Sequence, residues 1–266
     1  MRTAFWLLIS CTACHRTAPV GFTVEPLPDV VEVERRHRLS LELGIGFDGA
    51  LEPQRWDQRS SERVRLERTG DGAVVRCLEA LHHDGAVVAP SGLEGLSARV
   101  TAAGVTSTDP TRSLTPEQEA GLSGWARALE PDALQRALWT TPIRVRERSG
   151  EVDAAFATLV GRALGPGATV AHASLELTVA TDAVAVFDAA VAMRSVRGEL
   201  VTTSELTGTL TVARSGALPL SLALEGPVHV TSPEREATPA LEGSGQLQLV
   251  RQVRLLEAGR ATVAER

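Results

Sequence analysis

The sequence predicts an α+β fold that is mainly antiparallel β: a curved meander sheet with a short helical insert packed on one face. Three observations predict it. Residues 170–256 alternate apolar and polar side chains with period two, which gives each strand one dry and one wet face. Glycine-containing turn signals separate these runs, as the connections of a meander require. Only the middle of the chain, about residues 115–165, changes to the 3.6-residue spacing of amphipathic helices.

The chain has 266 residues, enough for one large β-rich domain. The expected organisation is a signal peptide over 1–10, a flexible tether over 11–29, a single domain over 30–256 and a tail over 257–266. The formal net charge of −6 leaves no broad cationic face for phosphates, so no nucleic-acid partner is expected. Aromatic residues make up 3%, so stacking platforms for bases or sugars are not expected and Leu, Val and Ala must fill the core. Every cationic side chain other than histidine is Arg, which GC-rich codon usage explains without any arginine-specific chemistry.

The first ten residues hold one positive charge at Arg2, an apolar run over 4–9 and the small Ser10, followed by Cys11. That is a secretory-signal pattern. The run falls well short of the ~20 residues a membrane-spanning helix needs. Leu8-Ile9-Ser10-Cys11 resembles the lipobox of bacterial lipoproteins. The resemblance implies cleavage before Cys11, diacylation of its thiol and acylation of its new amino group. At about 0.8 kcal/mol per buried CH₂, several acyl chains hold a soluble domain at a bilayer. Thr12, where an Asp would signal inner-membrane retention, implies an outer-membrane lipoprotein of the cell envelope, facing the periplasm or the surface. The same stretch, Cys11 to His15, also fits the C-x-x-C-H pattern of c-type haem attachment. A haem would need an export signal separate from the motif and a helical, aromatic-rich pocket, and the lipobox reading needs neither. No cofactor is therefore expected. Cys77 lies in an apolar strand and reads as a buried small hydrophobe. A bridge to Cys14 would need an oxidising compartment.

Pro19, Gly21, Pro26 and Pro28 give the tether its composition. A long strand follows, with Val31, Val33, Leu39, Leu41 and Leu43 on one face. Arg35 and His37 share that face and suggest a bulge or a sheet rim. Residues 44–49 match G-x-G-x-x-G, but no helical repeat follows to hold a pyrophosphate, so this is a glycine-rich strand end. Gly70-Asp71-Gly72 is a hairpin turn between two further strands. His82, His83 and Asp84 invite a metal reading, yet neighbours in a strand face opposite ways and Asp84-Gly85 is itself a turn signal. Residues 97–105 add another strand.

Thr115-Pro116-Glu117-Gln118 has the N-cap, N1 proline and N3 glutamine of a helix start. Leu122, Trp125, Ala126 and Leu129 then fall on one helix face. Pro131-Asp132 begins a second helix with Leu134 and Leu138 inward, residues 143–147 return to strand, and Val152, Phe156, Leu159 and Val160 mark a third helix. Trp125 and Trp139 read as core anchors.

In the meander, Leu175 and Leu177 share a face, as do Leu206, Leu210 and Val212, then Leu218 to Leu224. Leu247, Leu249, Val253 and Leu255 form the last apolar row, which Arg251 interrupts. Val184, Val186, Phe187, Val191 and Met193 occupy both parities and suggest a strand that is central or covered on both sides. No nucleophile elbow, Walker loop, zincin motif or paired C-x-x-C occurs, so neither catalytic nor metal-binding residues are expected. The architecture resembles the half-barrel of periplasmic lipoprotein carriers. The function expected is that of a non-catalytic envelope lipoprotein, tethered through Cys11, that binds an apolar ligand, a lipid or a protein partner. The alternatives are a structural or assembly lipoprotein without ligand, and a hydrolase with a site dispersed around His82, His83 and Asp84.

Overall fold

A computed structural model of the protein describes residues 18–256 apart from positions 26, 48–49, 86, 91, 128–129, 165–167 and 233–240. The fold is α+β and mainly antiparallel β, as the alternation predicts. Six strands come first: β1 Val30–Phe47, β2 Ala50–Thr69, β3 Gly72–Asp84, β4 Val87–Pro90, β5 Ser97–Thr101 and β6 Gly104–Ser107. Three helices follow, α1 Pro116–Arg127, α2 Ala133–Thr140 and α3 Gly150–Leu164. Five strands complete the chain: β7 Ala168–Ala180, β8 Val184–Arg197, β9 Leu200–Ala213, β10 Pro219–Ser232 and β11 Leu241–Leu256. All belong to one open, curved sheet in the order β6-β5-β3-β2-β1-β11-β10-β9-β8-β7, with β4 beside β3. Two meanders thus meet at a central seam, where β1 pairs antiparallel with β11 from Glu32↔Leu256 to Gly46↔Glu242.

The helices cover one face, and beneath them lie two separate hydrophobic clusters. The first joins Val31, Val33, Val64, Leu66, Val75 and Cys77 of the N-terminal meander to Leu122 and Trp125 of α1. The second joins Leu175, Phe187, Leu206, Leu210, Leu222 and Leu249 to Leu134 and Leu138 of α2 and Phe156 and Val160 of α3. The helix starts follow the expected chemistry. Thr115 Oγ1 accepts from the Gln118 N–H at 3.3 Å, and Gln118 Oε1 accepts from the Thr115 N–H at 3.0 Å. Asp132 and Gln135 form the same reciprocal pair at the start of α2. Gln135 Nε2 also donates to Gly216 O at 2.9 Å, fixing α2 to the β9–β10 turn.

Several sequence expectations are corrected. The tether does not extend through residues 18–25. Val20 bridges Ile143 and Thr23 bridges Ser215, while Phe22 is buried and stacks on Phe187 with ring centroids 6.3 Å apart. Residues 143–147 supply only that bridge and no strand. The strand expected over 97–105 is a short hairpin of two, β5 and β6. Strand β8 is not covered on both sides. Ala185, Phe187, Ala189, Val191 and Met193 form one buried row, in which alanines hide the alternation from a scan for large side chains. In β7, register shifts at Val170/His172 and Leu177/Val179 change the parity, and Val179 is 51% exposed.

Inward glycines of the meander, Gly208, Gly226 and Gly245, admit no side chain at all. A Cβ on Gly208 would lie 1.9 Å from Ala223 O, and one on Gly226 would lie 2.0 Å from Glu205 O. Close strand approach at bare glycines lets a sheet bend sharply. Gly208→Val is therefore expected to destabilise the fold by about 1–3 kcal/mol, the usual range for overpacking. Urea unfolding followed by circular dichroism measures it, and unchanged stability would refute this account of the bend.

Candidate functional site

The inner face is apolar at both ends and charged across its waist. Side chains alternate, so Val31 and Val33 share a face with Arg35, His37, Leu39, Leu41 and Leu43. On one side of β1, Arg35 stands opposite Glu62 and His37 opposite Ser60. On the other, Arg35 stands opposite Val253 and His37 opposite Arg251. The register through these pairs is continuous. The step at Arg35 and His37 is therefore neither a bulge nor a rim. It is part of a polar belt across β2, β1 and β11 at the centre of the sheet.

Charge within a largely dry face must be partnered. Arg35 Nη2 lies 2.5 Å from Glu62 Oε2 and its Nε donates to the same oxygen at 3.2 Å. The guanidinium also lies 4.1 Å from the ring centroid of Trp125, a cation–π contact that seats α1 on the belt. His37 Nε2 is buried and has no hydrogen-bond partner among the described residues. Burial, then Arg251 and Arg35, push the imidazole below its ordinary pKa of 6.5, and Glu62 opposes them weakly. The ring is therefore neutral at pH 7. Arg251, half-buried, makes no hydrogen bond or ion pair among the described residues. Burial and Arg35 lower its affinity for the proton while Asp132 raises it. An arginine so placed keeps its charge.

A cavity of about 760 Å³ opens above the belt, between α1 and α3. Its floor is Arg35, His37, Ser60, Arg251 and the flanking Val33, Val253 and Leu255. Its walls include Gly124, Trp125 and Arg127 of α1 and Leu159, Arg162 and Ala163 of α3. Glu130, Asp132, Gln135, Leu27, Leu218 and Pro219 complete it. The volume lies within the roughly 300–1,000 Å³ usual for small-molecule sites, and the mixture of apolar walls with a few polar groups is typical of them.

The other candidates do not converge. By alternation His82 and His83 point to opposite faces of β3, since His82 pairs with Ser60 and His83 with Arg59. No group of three or more potential metal ligands occurs among the described residues. Gly85 has φ +59°, the left-handed turn expected from Asp84-Gly85. Of the glycine-rich stretch 44–49, residues 44–47 are the end of strand β1, and positions 48 and 49 lie outside the described residues. Cys77 is free and buried, and burial pushes its thiol up to about 11, which makes it unreactive. Cys11 and Cys14 lie outside the described residues. No helix among those described is long and apolar enough to cross a membrane.

The sequence holds the signal for this site. It breaks two apolar rows, at Arg35/His37 and at Arg251. What it lacks is the register that sets those breaks side by side. Trp125 is the core anchor expected, at 3% exposed, and it lines the cavity as well.

No protein-family model matches the chain, and no curated protein matches it. Among solved structures, the crystal structure of Pseudomonas aeruginosa OpdQ aligns at 5% identity and a TM-score of 0.18, covering 86% of this chain and 98% of that one. A likeness at that score bears on neither fold nor function.

The state of His37 has a thermodynamic consequence. A folded pKa below 6.5 means that the unfolded chain binds the proton more readily. Stability is then full above pH 6.5 and falls as pH drops from 6.5 towards the folded value. The charged groups facing the ring are Arg35, Arg251 and Glu62. Urea midpoints at pH 7.5 and 5.5 are expected to show a larger acid loss in the native protein than in His37→Leu. Equal losses would refute the assignment.

Proposed function

We propose that the protein is a non-catalytic binding lipoprotein of the bacterial envelope, anchored through acylated Cys11, that holds a small ligand with an apolar body in the cavity between α1 and α3. The observation that carries the reading is that cavity: about 760 Å³ lined by Val33, Trp125, Leu159, Val253 and Leu255 over a charged floor. A sheet serving only as a scaffold would gain stability by carrying apolar residues in place of Arg35, His37 and Arg251 and closing its helices over this gap. The two flanking clusters are closed in that way.

The glycine at position 124 offers a clean test. It lines the cavity, and a Cβ there would meet nothing within 4 Å. Gly124→Leu should fill ligand space, its Cβ meeting no neighbour. It should also raise stability by about 0.5–1 kcal/mol through helix propensity. Binding of the neutral apolar fluorophore N-phenyl-1-naphthylamine is expected to weaken at least tenfold in the variant. Equal binding by both proteins, or none by the native one, would overturn the cavity as the binding site.

The anchor is tested separately. Cys11→Ser is expected to move the protein from the membrane fraction to the soluble periplasmic fraction, read by immunoblot. Unchanged membrane association would overturn acylation at Cys11.

A further inference from the structure

We infer that the ligand carries a compact oxyanion, a carboxylate or a phosphate, which docks on Arg251 beside His37 while its apolar chain runs along β11 towards Leu255. The inference rests on the binding reading above and specifies the chemistry of that ligand.

The cations of the belt are not equivalent. Arg35 is occupied, held by Glu62 and by the face of Trp125. Arg251 has neither kind of partner among the described residues, although it shares the same floor. Arg251 is half-buried with no hydrogen-bonded anion among the described residues, Asp132 acting on it only through space, and a guanidinium so placed is costly unless an anion completes it. Its planar fork is shaped for two oxygens at once. The neighbouring His37 Nε2 is likewise without a partner, and Ser60, opposite His37 on β2, adds a hydroxyl that can donate. Three polar groups on three adjacent strands therefore converge on one spot.

The rest of the floor gives the direction. Val253 and Leu255 follow Arg251 on the same face of β11, and the pairing Val33↔Leu255 on β1 continues the apolar track. Four residues of strand separate the cationic end from the apolar end, about 13 Å at the rise of a β-strand. That polarity fits a single-chain amphiphile. It does not fit an apolar ligand without a head group, nor a small inorganic anion alone.

The test uses the full chain with Cys11→Ser, which keeps acyl groups and detergent out of the titration. Laurate, dodecyl phosphate and dodecanol are each titrated by calorimetry below their aggregation limits. The two anions are expected to bind at least tenfold more tightly than the alcohol. The stronger of the two identifies a carboxylate or a phosphate head. Arg251→Met should abolish the preference by weakening the binding of both anions, and His37→Leu should reduce the preference in part. Thermal melts of each variant confirm the fold. Equal binding of anion and alcohol by the native protein, or an undiminished preference in folded Arg251→Met, would overturn the oxyanion and leave the apolar site standing. Binding of none of the three would overturn both.

Discussion

Arg35 sits where an apolar sheet face should be continuous, and the architecture accommodates it. A guanidinium in that position must keep a carboxylate, which Glu62 supplies from the next strand, and an aromatic face, which Trp125 supplies from α1. Dry packing across the waist would strip His37 and Arg251 of water without giving them partners, a penalty of several kcal/mol per buried charge. The helices therefore do not form one continuous cover. They divide the face into two closed cores and leave a solvated gap over the charges. The gap is a consequence of the belt, and the belt is a consequence of three side chains on β1 and β11.

Most of the fold was legible in the sequence because it depends on local rules. The threonine-rich row of β9 marks a wet face. The caps at Thr115 and Asp132 mark helix starts. What stayed hidden was set by distance along the chain or by small side chains. Ala185 and Ala189 are buried beside Phe187 in the same row, but they carry little hydropathic signal. The irregularities of β7 move residues between faces, and no local pattern announces them. Docking of Phe22 on Phe187 joins residues far apart in sequence, so the proline and glycine content of that stretch suggested only a tether.

The site was half legible. Arg35, His37 and Arg251 each stood out as interruptions of an apolar row. Their convergence depended on the pairing of the first strand with the last, which sets His37 opposite Arg251. The histidines that invited a metal reading, His82 and His83, are adjacent in sequence and for that reason face apart. Adjacency in a strand separates side chains, whereas register between remote strands brings them together.

The seam between β1 and β11 also bears on how the molecule is made. A chain made from its N-terminus delivers β1 early and β11 last. Until the final strand arrives, one edge of β1 lies bare, and the floor of the cavity is missing a wall. Such remote pairing forms slowly, because the intervening loop must be closed before any bond rewards it. Completion of the sheet and creation of the cavity are then a single event at the end of assembly, so a truncated or half-folded chain has no cavity.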